Sequence, residues 1–204
     1  MSVRAAPLLM MLIGHLGSCA SPSESDAVVR AEALADARSS FAEVEQEFEG
    51  ANSIVHPALW EALRRDDDPV AAKELDVASQ CGDEALSIEV TEDGLYLDLD
   101  TTECDWLTLE QASTRPLFKG DTLRVWAFRW PMVVAQGEGL LKVAAGNPPI
   151  TLWEHRPLLP QERSELYYEE VQVSANLPAG TPIYWHVANH GQNVWSLIAL
   201  LRLD

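Results

Sequence analysis

From about residue 80 onward the chain breaks into short runs in which apolar and polar residues alternate, each closed by turn-forming residues. Leu86, Ile88 and Val90 alternate with Ser87, Glu89 and Thr91, Glu92-Asp93-Gly94 turns the chain, and Leu95, Leu97 and Leu99 then alternate with Tyr96, Asp98 and Asp100. Successive side chains of a strand point to opposite faces, so this is a β-hairpin with one apolar and one acidic face. Further runs cover residues 106–109, 122–130, 140–144, 150–155, 166–173, 183–189 and 194–203, with Lys119-Gly120-Asp121 and Gly146-Asn147-Pro148-Pro149 among the turns between them. The last run has a composition that also suits a helix, but it follows a hairpin-like Asn-His-Gly-Gln-Asn turn and is expected as a strand. Strands of this length and spacing imply a mainly β fold, an antiparallel jelly-roll-like β-sandwich. No internal repeat is apparent.

Charge narrows the partners. Acidic residues outnumber basic ones 32 to 14, for a formal charge of −18. A surface that binds nucleic acid needs a basic patch, so nucleic acid is excluded as a partner, and so is docking on anionic lipid through a polybasic face. At 47% hydrophobic and 23% charged residues the chain can build a core.

The N-terminus carries the strongest motif. Arg4 precedes the apolar stretch Leu8-Leu9-Met10-Met11-Leu12-Ile13, which falls short of the roughly 20 residues that span a bilayer. The segment ends Leu16-Gly17-Ser18-Cys19. This resembles the bacterial lipobox, in which an aliphatic and two small residues precede a cysteine. The resemblance covers 19 residues. It implies cleavage before Cys19, a diacylglyceryl group on its thiol and a further acyl chain on its freed amino group. One acyl chain anchors marginally and several anchor firmly. Ala20, where an Asp favours inner-membrane retention in that family, implies the outer membrane. An ordinary secretory signal with a chance cysteine at its end is the alternative.

Residues 20–26 are small and polar and read as a tether. Leu34, Ala37, Phe41, Val44 and Phe48 then recur at spacings of three and four, the stripe of an amphipathic helix, until Gly50-Ala51-Asn52 stops it. A second helix is expected over 57–65, with Pro57 in its first turn and Leu59, Trp60 and Leu63 on its apolar side, and a weaker third over 70–77. The Asp66-Asp67-Asp68-Pro69 run between them lacks the alternating ligands, central Gly and terminal Glu of a calcium loop and reads as a charged helix end. The expected organisation is a signal peptide at 1–18, a lipidated tether at 19–26, a helical segment at 27–79 and a β-sandwich at 80–204.

With Cys19 carrying lipid, Cys81 and Cys104 remain. A hairpin pairing Val90 with Leu95, extended outward in register, brings Cys81 opposite Cys104. An even number of cysteines in an exported chain favours a disulfide, which would stabilise by about 3 kcal/mol through loop closure. Two buried thiols are the alternative.

No catalytic motif stands out. There is no Gly-x-Ser-x-Gly elbow and no phosphate-binding glycine loop. Pro178-Ala179-Gly180, followed by a strand and Asn189-x-Gly191, resembles the second motif of the cupins over about 20 residues, but Ile183 stands where that family has a metal-binding histidine. Gly120-Asp121-Thr122-Leu123-Arg124-Val125 is similar to a strand-opening phrase of the cupredoxins, and His186 and His190 to their ligand loop, without the thiolate that a blue-copper site needs. Both resemblances imply a jelly-roll or sandwich without their metal chemistry. No cofactor is expected. A histidine site at His155, His186 and His190 is the alternative, and would make the protein a metal-binding protein or an enzyme.

The aromatics say more. Trp106, Trp126, Trp130, Trp153, Trp185 and Trp195 all follow residue 80. On the run 122–130, Leu123, Val125 and Ala127 take one face, and Arg124, Trp126, Phe128 and Trp130 the other. Flat rings suit sugars, whose C–H groups stack on the π-face. This part loosely resembles galactose-binding-like carbohydrate modules. The aromatic side is either core, or covered by the N-terminal helix, or an exposed ligand platform. Near the C-terminus, Asn189, His190 and Asn193 lie in a turn flanked by Trp185, His186 and Trp195, where they would rim a polar ligand site. The expected function is therefore a non-catalytic binding or structural module of the cell envelope, held to the membrane through Cys19, with a glycan or an envelope protein as its partner.

Overall fold

A computed structural model describes residues 52–71, 79–91, 94–188 and 194–203. All of them fall within one compact unit, Val44–Asp204. Cys19, the stripe from Leu34 to Phe48, the centre of the expected 70–77 helix, and the turn bearing Asn189, His190 and Asn193 lie outside the described residues. No helix among the described residues is long and apolar enough to cross a membrane.

The strands are β1 (Glu61–Ala62), β2 (Leu86–Thr91), β3 (Gly94–Asp100), β4 (Trp106–Ala112), β5 (Thr122–Arg129), β6 (Met132–Glu138), β7 (Leu140–Ala145), β8 (Ile150–His155), β9 (Leu158–Gln161), β10 (Glu165–Gln172), β11 (Pro182–Ala188) and β12 (Val194–Leu203). They form two five-stranded antiparallel sheets, ordered β1-β4-β11-β7-β8 and β10-β5-β12-β3-β2, and a small β6-β9 pair. The last two strands each enter the middle of a sheet: β11 between β4 and β7, β12 between β5 and β3. The inward rows of the two sheets make the core. Leu97, Leu99, Leu123, Val125 and Leu200 from one meet Leu107, Leu109, Leu141, Val143 and Val187 from the other, all essentially inaccessible.

The sandwich expectation holds, and so does the hairpin: β2 and β3 pair in the register Val90↔Leu95 through Leu86↔Leu99. Cys81 and Cys104 are bridged, with Cα atoms 5.1 Å apart. Two similar turns open an inner strand of each sheet. Leu117-Phe-Lys-Gly120 leads into β5 and Leu177-Pro-Ala-Gly180 into β11, with Gly120 at φ 97° and Gly180 at φ 82°. Both conformations favour glycine. Leu117 and Leu177 bond each other reciprocally, N–H to C=O at 2.8 Å both ways, which ties the two turns together.

The expected helix over 57–65 does not form. Pro57–Leu59 is a single 3-10 turn, capped by His56 Nδ1, which accepts from the Ala58 amide at 3.1 Å. Trp60 is already extended, and Glu61 and Ala62 pair with Glu110 and Leu109 of β4. The free edge of β4 offers unpaired backbone groups and a pocket that buries Trp60, and this outweighs local helical spacing. Ile54 and Val55 are also buried in the core, with Ser53 bridging Leu201. The sandwich thus takes in chain well before residue 80. Strands β6 and β9 were also not expected; Gly137, Gly139, Pro157 and Pro160 punctuate them and mask their alternation.

Candidate ligand-binding face

The alternation of β5 decides which side of it is core. Leu123, Val125 and Ala127 are fully buried between the sheets, which turns Arg124, Trp126 and Phe128 outward. Trp130 follows at the strand end. The neighbouring β10 pairs Leu166 with Phe128, Tyr168 with Trp126 and Glu170 with Arg124, which adds a second row to the same face. Trp126 and Tyr168 meet edge to face at 5.8 Å, and Phe128 and Trp130 do so at 5.4 Å. Trp130 is 49% exposed and Tyr168 53%, while Trp126 is half-buried. The Arg124 guanidinium lies 4.7 Å from the Tyr168 ring centroid and donates to Glu170 Oε1 at 2.6 Å. The aromatic side of β5 is therefore neither core nor fully covered.

The same face continues across β12 and β3. Ser196 lies beside Phe128 on one side and Asp98 on the other, and Glu89 of β2 pairs opposite Tyr96. Burial holds the Asp98 carboxyl above the usual carboxylate range; the Ser196 hydroxyl, donating to it, works the other way, and the nearby Glu89 raises it further.

One end of this face rests on a buried cation. Arg129, 2% exposed, donates from Nε to the Tyr167 hydroxyl at 2.9 Å, from Nη1 to the Arg163 carbonyl at 2.7 Å, and from Nη2 to Glu165 Oε2 at 2.8 Å. Tyr167 in turn donates to Glu165 at 3.1 Å. Burial pushes the Tyr167 hydroxyl up to about 12. A buried guanidinium is tolerated because most of its donors are met. The network ties the end of β5, next to Trp130, to the start of β10.

The described residues that flank the C-terminal turn, Trp185, His186 and Trp195, are buried. Trp185 and Trp195 are both 0% exposed. Trp185 shares parity with Ile183 and Val187, points into the core and stacks on Trp153 with ring centroids 6.4 Å apart. Trp195 pairs between Leu99 and Arg129 and also faces inward. Neither indole can offer its face to a ligand. His186 lies on the opposite side of its sheet, 1% exposed, with Nδ1 2.6 Å from Thr108 Oγ1 and no hydrogen-bond partner at Nε2. Burial lowers its pKa to about 4, against the opposing pull of Asp68. The imidazole is neutral at ordinary pH.

Of the three histidines of the alternative site, the structure describes His155 and His186 and places them on opposite sides of their sheet, while His190 lies outside the described residues. His155 pairs with Leu141 on the core side of its sheet, with its ring 4.3 Å from Tyr167, whereas His186 pairs with Lys142 on the outer side. The two cannot share an ion. Among the described residues no group of three or more His, Cys, Asp or Glu side chains could hold a metal. A cavity of about 220 Å³ beside the disulfide is lined by Gln80, Glu84, Asp100, Thr102 and Glu103, among others, and holds no aromatic ring.

The structure thus keeps Trp126 and Trp130 together on one face and separates them from Trp185, His186 and Trp195. It adds Tyr168, Leu166, Arg124 and Glu170, which sequence reasoning missed. The signal was present: in the run 166–173 the even positions are the outward ones once Tyr167 and Val173 are assigned to the core.

No protein-family model matches the chain, and no curated protein matches it. Solved structures with a similar fold include an arabinose-bound α-L-arabinofuranosidase (11% identity, TM-score 0.43, 74% of this chain and 24% of that one). A family 16 carbohydrate-binding module (8%, 0.40, 64% and 92%) is another. So is the K3 cleaved adhesin domain of Lys-gingipain from Porphyromonas gingivalis (14%, 0.42, 74% and 95%). The chain spans about a quarter of the arabinofuranosidase's length. Likenesses of this size carry no inference about what this chain binds.

Proposed function

We propose that the protein is a non-catalytic carbohydrate-binding module of jelly-roll type, and that its binding face is the outer side of the β10-β5-β12-β3-β2 sheet. The observation that carries this reading is the pair of exposed rings, Trp130 and Tyr168, held by edge-to-face contacts to Phe128 and Trp126 on a rigid sheet. Exposed aromatic area of this kind costs solubility unless something uses it. A sugar ring stacks its C–H face on such rings, while Arg124, Glu170 and Asp98 stand within the same rows to meet hydroxyls.

The test is affinity electrophoresis through gels containing soluble polysaccharides, followed by calorimetry on those that retard the protein. Trp130→Ala and Tyr168→Ala should each abolish retardation while leaving the thermal midpoint within a few degrees of the parent. Retardation that survives both substitutions overturns the reading.

The module works at a membrane, tethered through Cys19; the Leu16-Gly17-Ser18-Cys19 phrase supports this. Cys19→Ser should move the protein to the soluble fraction and remove the lipid mass. Unchanged detergent partitioning and mass in that variant would refute the anchor.

A further inference from the structure

Charge divides the proposed face. Its β10-β5 half is aromatic, with Leu166, Phe128, Tyr168 and Trp126 in paired rows. Its β3-β2 half carries Asp98, Asp100 and Glu89 on outward rows, with Ser196 and Ala199 of β12 as small side chains between the halves. Among the described residues, Arg124 is the one cationic side chain on the outward rows of these five strands. It is already engaged: Nε and Nη2 both donate to Glu170 Oε1, at 3.2 and 2.6 Å, and its plane lies over Tyr168.

From this we infer that the face selects uncharged glycans and rejects acidic ones, the rings of the chain lying on the aromatic half and its hydroxyls donating to the carboxylates of the acidic half. The inference rests on the carbohydrate reading above and adds the ligand class to it. Three physical effects point the same way. A carboxylate accepts strongly from a hydroxyl donor, and a sugar diol supplies two donors side by side. A uronate, sulfate or phosphate group brought to the same place meets like charge, and no free cation is there to offset it. The face of an aromatic ring is the negative end of its quadrupole, so Tyr168 and Trp130 also repel an anion that approaches over the ring. Burial already disfavours the ionised form of Asp98, and a second anion beside it would disfavour that form further.

The test pairs polymers that differ in charge and little else: galactan against polygalacturonate, and unsubstituted xylan against glucuronoxylan, run on the full chain in the same gels. Uncharged polymers should bind at least about tenfold more tightly, since one like-charge contact in a partly buried site exceeds the 1.4 kcal/mol that a factor of ten represents. Glu89→Gln with Asp98→Asn should narrow that gap several-fold. Rising salt offers a second measurement that alters no residue: it should improve binding of the acidic polymers by screening and leave the uncharged ones unchanged. Acidic polymers that bind as tightly as their uncharged counterparts, or more tightly, overturn the selectivity while the carbohydrate reading stands. No retardation by any polymer, charged or not, removes the carbohydrate reading and the selectivity with it.

Discussion

The outer faces of the two sheets are made from similar sequence and end in opposite conditions. On the β1-β4-β11-β7-β8 sheet, Trp106, Thr108, Tyr184 and His186 all point away from the core and are nonetheless buried. Chain from β1 onward reaches across them: Leu63 N–H bonds the Thr108 carbonyl at 2.9 Å, the Arg65 guanidinium lies 5.5 Å from the Trp106 ring centroid, and the charge of Asp68 reaches both His186 and Tyr184. On the β10-β5-β12-β3-β2 sheet, Trp130 and Tyr168 stay about half exposed. A strand that is apolar on both sides is therefore ambiguous by itself. Whether its second face is a second core layer or a working surface depends on what chain is available to cover it.

Four measurements test this contrast. The largest effect is expected at Trp185. It is fully enclosed, so Trp185→Ala should cost about 3–5 kcal/mol in urea unfolding, whereas Trp130→Ala should stay within about 0.5 kcal/mol. Equal costs at the two sites would erase the distinction.

Next comes the Cys81–Cys104 bridge, which closes a loop across 23 positions at the foot of the β2-β3 hairpin. Cys81→Ser with Cys104→Ser should lower stability by about 3 kcal/mol without changing glycan affinity. A loss of affinity on the same scale would mean that the open face depends on this staple.

The third is pH. His186 is neutral when folded because burial lowers its pKa to about 4, from the ordinary imidazole value of 6.5. Stability is therefore complete above about pH 6.5 and falls as the pH drops through that value toward about 4, by up to about 3 kcal/mol. On the other sheet the sign reverses: Asp98, whose folded carboxyl is raised by burial, contributes stability at low pH that is lost as the pH rises. His186→Gln should flatten the acid-side slope in denaturation curves measured between about pH 6.5 and 4. An unchanged slope would assign the acid sensitivity elsewhere.

The smallest stability effect is expected at Tyr168. Tyr168→Ala should be nearly silent in unfolding and decisive in binding, and a substantial loss of stability would move this ring from the working surface to the structural one.

Local alternation made much of this architecture readable. The β2-β3 register and the disulfide follow from the same count along the chain, and β8 and β12 begin and end where the sequence pattern does. Where the outcome depended on distant partners, the sequence was less informative. Leu59, Trp60 and Leu63 have helical spacing, but the exposed edge of β4, far along the chain, draws that segment out into a strand. The candidate site divided in the same way. Trp126 and Trp130 were singled out by strand parity and do face outward. Trp185 and Trp195 were singled out because they flank a polar turn, although their parity with Ile183, Val187 and Leu197 already pointed them inward. Strand parity alone turns Tyr168 outward, but its place beside Trp126 depends on a pairing register that no local pattern specifies.

The central positions of β11 and β12 make each sheet depend on strands that come late in the sequence. Until the chain beyond Thr181 exists, β4 and β7 have a gap one strand wide between them, and β5 and β3 have another. Before then each sheet has an inner edge whose backbone groups lack a partner. Both layers therefore close only when β11 and β12 have joined them. The same wiring carries a hazard. A chain shortened by its final strand would leave β5 and β3 with raw edges facing each other, ready to capture any extended peptide nearby.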